Sequence, residues 1–163
     1  LGDKINRFSI ISIAIFLSFS ALSAQDKGFG IGVILGEPTG LSIKFWTSYN
    51  TAVDIAQAWS FVDGNALHLH SDFLLHNFGL IKLDFDKLPI YYGIGGRIKF
   101  VEVEDNKNDK HKFQLGVRIP VGLNYLPSKI PFDFFFEIVP LLDLIPKTDF
   151  TINGGIGFRY FFQ

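Results

Sequence analysis

The feature that most constrains this chain is a period of two that runs, segment after segment, from Gly28 to Phe162. Alternation of apolar with polar or small residues sends successive side chains to opposite faces of an extended strand, so it argues for β structure and against helix. Eight segments carry it: 28–35, 41–47, 52–59, 66–76, 90–100, 113–123, 132–142 and 150–162. Turn residues separate them. Glu37-Pro38-Thr39-Gly40 has Pro and Gly where a type I turn wants them. Asp63-Gly64, the pair Pro127 and Pro131, and Pro146-Lys147-Thr148-Asp149 mark further turns. Two stretches, 77–89 and the charged run 102–112, lack alternation and read as longer connections. Strands joined this way fit a meander.

The two faces differ sharply. One face, from Phe29 to Phe162, holds 41 positions without a charge, in a chain that is 19% charged. The other holds Lys44, Asp54, Asp72, Arg97, Lys99, Arg118, Asp133, Glu137 and Arg159, with His68, His70 and His76 and nine glycines. Alternation alone leaves open which face is inside. A soluble lipocalin-like barrel has the apolar face in, and an outer-membrane barrel has it out. Three features favour the membrane barrel. Glycine crowds the polar face, as the tight lumen of eight strands requires. The apolar face is wider than one small cavity could bury. The polar face nearly neutralises itself, with five bases against four acids, as charges removed from water must. The expected fold is all-β, an eight-stranded antiparallel up-and-down transmembrane β-barrel.

The amino terminus reads as an address. Lys4 and Arg7 precede an apolar run over 8–22, and Ala21-Leu22-Ser23-Ala24 supplies a small-residue exit. Residues 1–24 are therefore expected to be a signal peptide and 25–163 an outer-membrane barrel domain, placing the protein in the outer membrane of a diderm bacterium. No later stretch approaches 18 continuous apolar residues, so a helical membrane protein is excluded. Other classes fall to composition. With 48% apolar and 16% aromatic residues the chain is not disordered, and with no Cys it has no disulfides or thiolate metal sites. A net charge of −1 gives no pull on nucleic acid.

Several stretches carry a family resemblance: 32–46 (GVILGEPTGLSIKFW), 66–70 (ALHLH), 92–100 (YGIGGRIKF), 116–125 (GVRIPVGLNY) and 152–162 (INGGIGFRYFF). Together they resemble a family of small, largely uncharacterised outer-membrane β-barrels of spirochaetes and other diderms, similar to the OmpA transmembrane domain. The resemblance covers nearly all of 28–162 and implies an eight-stranded barrel. It implies no established activity, so no catalytic residues are carried over. Phe158, Tyr160 and Phe162 alternate on the last segment and resemble the terminal aromatic signal read by the barrel assembly machinery.

Few constellations carry chemistry. His68, His70 and Asp72 share one face at two-residue spacing, but no third metal ligand is fixed by spacing; a hydrogen-bonded lumen network is the simpler reading. A hydrolase with His and Ser two apart on one face finds no match, because His70 and Ser71 are adjacent and face opposite ways. Neither enzyme activity nor a cofactor or metal is expected. The nine charged residues are expected to plug the lumen with ion pairs, since eight strands leave room only for side chains. The function expected is structural or surface-interacting. The alternatives are a narrow or gated pore and a soluble periplasmic lipid-binding barrel. Outer-membrane lipid and the assembly machinery are the expected partners of a monomer; an extracellular partner is left open.

Overall fold

The computed structural model describes residues 27–60, 66–103 and 110–162. The signal segment 1–24, the Asp63-Gly64 turn, residues 104–109 of the charged connection and Gln163 lie outside the described residues.

Nine strands form a single antiparallel sheet. They are β1 (Phe29–Glu37), β2 (Thr39–Trp46), β3 (Thr51–Ser60), β4 (Ala66–Asn77), β5 (Ile90–Val103), β6 (Lys110–Arg118), β7 (Val121–Tyr125), β8 (Phe132–Ile145) and β9 (Asp149–Phe162). Neighbours in sequence are neighbours in space, β4 pairs with β5, and β9 returns to β1, so the sheet closes into a ring without a free edge. The described residues contain no helix.

The ring has eight staves. β6 and β7 both lie between β5 and β8, and they share one register: Arg118 faces Leu141, and Val121 faces Ile138. What separates them is Ile119-Pro120. Proline has no N–H to give the ladder, so one rung is missing. The rungs around it survive, with the Ile119 N–H donating to the Pro140 carbonyl and the Gly93 N–H to the Pro120 carbonyl, each at 2.9 Å. The expected segment 113–123 is thus a single stave with a gap. Other bounds shift outward: β1 runs to Glu37 alongside β9, and β8 runs to Ile145 rather than Leu142.

The register sets the shape. Following partners round the ring from Gly30 leads through Lys44, Asp54, Asp72, Gly95, Arg118, Leu141 and Thr151. Continued beyond Glu37↔Gly154, the β9–β1 register would set Thr151 level with position 40, a stagger of ten residues. For eight staves this tilts the strands by about 43°.

The charged face is inside and the apolar face outside. Lys44, Asp133, Arg118 and Arg159 are almost wholly buried, whereas Ile94, Ile152, Phe136 and Phe158 are exposed. Glycine makes this possible. A Cβ on Gly30 would stand 2.7 Å from the ring of Phe161, its partner across the β1–β9 seam, and one on Gly122 would stand 2.6 Å from the ring of Tyr91, its partner on β5. Each large interior side chain here lies over a bare stretch of the neighbouring stave.

Candidate functional site: the charged interior and its two ends

The register creates an electrostatic problem inside the barrel. It sets Asp54 directly opposite Asp72, and like charges facing across a sheet repel. Two arginines from distant staves separate them. Arg159 donates from Nη2 to Asp54 (2.9 Å), from Nη1 to Asp133 (3.1 Å) and from Nε to the Ser42 hydroxyl (2.9 Å), with its guanidinium 4.0 Å from the Phe135 ring. Arg118 donates from Nε to both oxygens of Asp72, at 3.0 and 3.1 Å, and its Nη2 is 3.8 Å from Glu137. The Tyr91 hydroxyl donates to the other Glu137 oxygen at 3.0 Å.

Lys44 closes the network toward the end that carries both chain termini. Its ammonium lies 2.8 Å from His76 Nε2, donates to Asn124 Oδ1 at 2.8 Å and stands 3.9 Å from Asp133. At the opposite end Arg97 donates to Asp143 at 2.7 Å. Asp143 is the interior acid that reasoning from sequence missed, because the seventh segment was ended one residue too soon. Its odd number, shared with Asp133 and Glu137 on the same strand, was the available signal. It brings the interior to five acids and five bases.

Lys99 is buried opposite His68 on β4. His68, His70 and Asp72 all face inward, as their spacing requires, but no metal set assembles from them. Asp72 is held by Arg118, His68 Nδ1 lies 3.4 Å from Arg97, and His70 lines an internal void of about 10 Å³ with Arg118 and Glu137. Among the described residues no group of three His, Asp or Glu gathers where it could hold a metal ion. Phe158, Tyr160 and Phe162 point outward on β9. Phe162 stacks on Phe29 at 5.1 Å, and Tyr160 meets Phe132 edge-on at 5.3 Å.

The terminus-bearing end has a feature that no alternation announced. Residues 78–89 are tied back onto the β7–β8 connection. Lys87 and Leu126 exchange backbone hydrogen bonds at 3.1 and 2.8 Å, and the Asn124 N–H donates to the Pro89 carbonyl at 3.0 Å. Asp86 is the clasp, accepting from the Tyr125 hydroxyl (2.6 Å), the Ser128 N–H (2.9 Å) and the Ser128 hydroxyl (3.0 Å). The Tyr125 hydroxyl first, and then the Ser128 amide, hold the Asp86 carboxyl below the ordinary aspartate range. Inside this end, Trp46, His76 and Phe78 form an aromatic cluster, and Leu126 is fully buried. At the other mouth a hollow of about 380 Å³ is lined by Arg97, Lys99, Asp143, Lys147 and Asp149 among others.

The family model described as a protein of unknown function (DUF3996) matches residues 20–162. A search of curated proteins gives no match. The crystal structure of the N-terminal β-barrel domain of Pseudomonas aeruginosa OprF is similar in fold, with a TM-score of 0.63 at 14% identity, over 81% of this chain and 96% of that one.

Proposed function

The chain belongs to the DUF3996 family of proteins of unknown function, and from that premise we propose that it is a small integral outer-membrane β-barrel with a structural or surface-interaction role. The observation that carries this reading is the inversion of the barrel: ionisable side chains inside, an apolar wall outside. In water such a wall would be a large uncovered apolar surface. In a bilayer it is matched to its solvent, and the closed ring leaves no backbone edge unpaired in hydrocarbon. The dimensions agree. At a tilt of about 43° each residue advances about 2.4 Å along the barrel axis, so the outward row from Phe132 to Leu144 spans about 29 Å, the scale of a hydrocarbon core. A soluble lipid-binding barrel needs the opposite facing, whereas this interior is occupied by buried charged side chains such as Arg118 and Arg159.

We further read the interior as a plug. The ion pairs cross the bore from stave to stave, and the void beside His70, Arg118 and Glu137, about 10 Å³, is at the limit of a single water. Among the described residues no group of three His, Asp or Glu could hold a metal ion, and the role proposed is non-enzymatic. The barrel assembly machinery and outer-membrane lipid are its proposed partners, and the protein is proposed to act as a monomer. The test is cell fractionation with gel mobility before and after boiling. A folded outer-membrane barrel fractionates with that membrane and changes mobility on heating; recovery in the soluble periplasm would overturn the reading. Planar-bilayer recording tests the plug, which a large, persistent single-barrel conductance would refute.

A further inference from the structure

We propose that a groove on the outer rim of the terminus-bearing end seats one glycerophospholipid, with its phosphate toward Lys87 and an acyl chain over Leu75 and Tyr92. The proposal rests on the membrane reading above and names a lipid contact within it. The groove measures about 390 Å³, with Tyr49, Asn50, Asn77 and Phe78 on its walls. Its floor continues the apolar wall of the barrel: Leu75 and Tyr92 are register partners on β4 and β5, both on the outward face.

The Tyr49 and Phe78 rings lie 5.1 Å apart and form an aromatic layer. Two asparagines also line the groove. The Asn50 carbonyl oxygen accepts from the Ser48 hydroxyl at 3.2 Å, and the Asn77 carbonyl oxygen accepts from the Gly79 N–H at 2.9 Å. With both oxygens engaged, the group each amide presents is its NH₂ donor, suited to ester and phosphate oxygens. The Lys87 ammonium then stands 6.0 Å from the Tyr49 ring and 5.8 Å from the Phe78 ring. An apolar floor, two aromatic rings, two amide donors and a cation beside those rings supply contacts for the acyl chain, the ester and the phosphate of a glycerophospholipid. A cationic headgroup is disfavoured as the ligand, because the aromatic faces that would attract it already carry the lysine.

The surrounding segment has the same character. Lys82 and Lys87 bridge the base of a small turn whose tip exposes Leu83 and Phe85, the latter 86% exposed. The Asp86 clasp fixes this turn against the barrel. A fixed turn with an exposed phenyl ring beside an apolar wall is matched to the headgroup boundary of a bilayer.

The experiment compares the parent with Lys87→Gln, Phe78→Ala and Lys147→Gln, the last at the opposite end of the barrel. Each protein is first checked for vesicle insertion and heat-modifiable mobility. A parent that fails to insert overturns the membrane reading itself. Inserted proteins are purified in a sugar detergent, incubated with phosphatidylglycerol or an uncharged galactosyl diacylglycerol, and weighed intact by native mass spectrometry. The parent and Lys147→Gln are expected to retain one phosphatidylglycerol and to release the galactolipid. Lys87→Gln is expected to lose occupancy by about fivefold or more, the loss of one charge-assisted contact. Phe78→Ala is expected to lose it too, and decides the matter should Lys87→Gln fail to insert. Retention by both variants equal to the parent, equal retention of the galactolipid, or displacement by millimolar inorganic phosphate would overturn the groove as a lipid site.

Discussion

Replacing Arg118 by Met tests whether the interior network is an energetic unit. The side chain is 1% exposed, and its Nε holds both oxygens of Asp72, which is equally shut off from water. Glu137 would keep its Tyr91 hydroxyl, but Asp72 would keep no cation and would still face Asp54 across the register. Removing one partner of such a buried pair costs about 3–5 kcal/mol. Removing both charges, in Arg118→Met with Asp72→Asn, leaves no orphan and is expected to return to within about 1–2 kcal/mol of the parent. Asp72→Asn should therefore restore about 2–3 kcal/mol in the Arg118→Met background, and Asp72→Asn alone completes the cycle that gives the coupling. With a urea dependence of about 2 kcal/mol/M, the midpoint of the single variant should fall by about 1.5–2.5 M and largely recover in the double. The assay is reversible urea unfolding in phospholipid vesicles, followed by the folded band on gels and by tryptophan emission. A single variant within about 0.5 kcal/mol of the parent, or a double variant no better than the single, would refute the argument, since water would then be solvating Asp72.

Further outcomes are expected. Ile119→Arg, on the outward face and 50% exposed, should lose about 2–4 kcal/mol in vesicles if that position lies at mid-depth, and parental stability would reverse the assignment of faces. Gly30→Val meets the buried Phe161 ring and should cost about 1–3 kcal/mol, with partial rescue by Phe161→Ala in the same urea assay. The Asp86 clasp works through a carboxyl held below its ordinary pKa, so its contribution is present above that ordinary value and fades as pH falls through the lowered one. Amide exchange at Leu126 and Lys87 should accelerate in acid, and Asp86→Ala should remove that pH dependence. Deleting residues 160–163 removes outward aromatics and the β1–β9 rungs at Phe29, Gly30 and Ile31, and should abolish outer-membrane yield; deleting Gln163 alone should not.

Much of the fold was legible because its signal is local. Alternation needs only adjacent residues, and the facing of Asp54, Arg97 or Glu137 follows from the parity of its number. Pro120 was visible too, yet it removes only a rung, because a stave held on both sides keeps its register across one missing N–H. The pairings were not legible. Arg159 meets Asp54 across 105 residues, and Arg118 meets Asp72 across 46, through a stagger that exists only once the ring closes. For the same reason His68, His70 and Asp72 looked like a group in one dimension, while Arg118, two staves away on β6, claims the carboxylate. The 78–89 segment escaped entirely. Its order comes from Tyr125, Leu126 and Ser128, and nothing in its own sequence announces those contacts.

The seating of large interior side chains over bare backbone has a consequence for descent. On the outer wall a substitution such as Ile94 to Val is a complete step by itself, since any apolar group suits the surroundings. Inside, Phe161 and Gly30 share one volume, and neither partner can grow until the other shrinks, while Gly122 is kept bare by the Phe136 backbone carbonyl as well as by the Tyr91 ring. Interior change must therefore pass through a poorly packed or overcrowded ancestor, or arrive as a pair. Lineages of this barrel would diverge quickly and independently on the surface, while the inside moves rarely and in coupled exchanges that leave total volume unchanged.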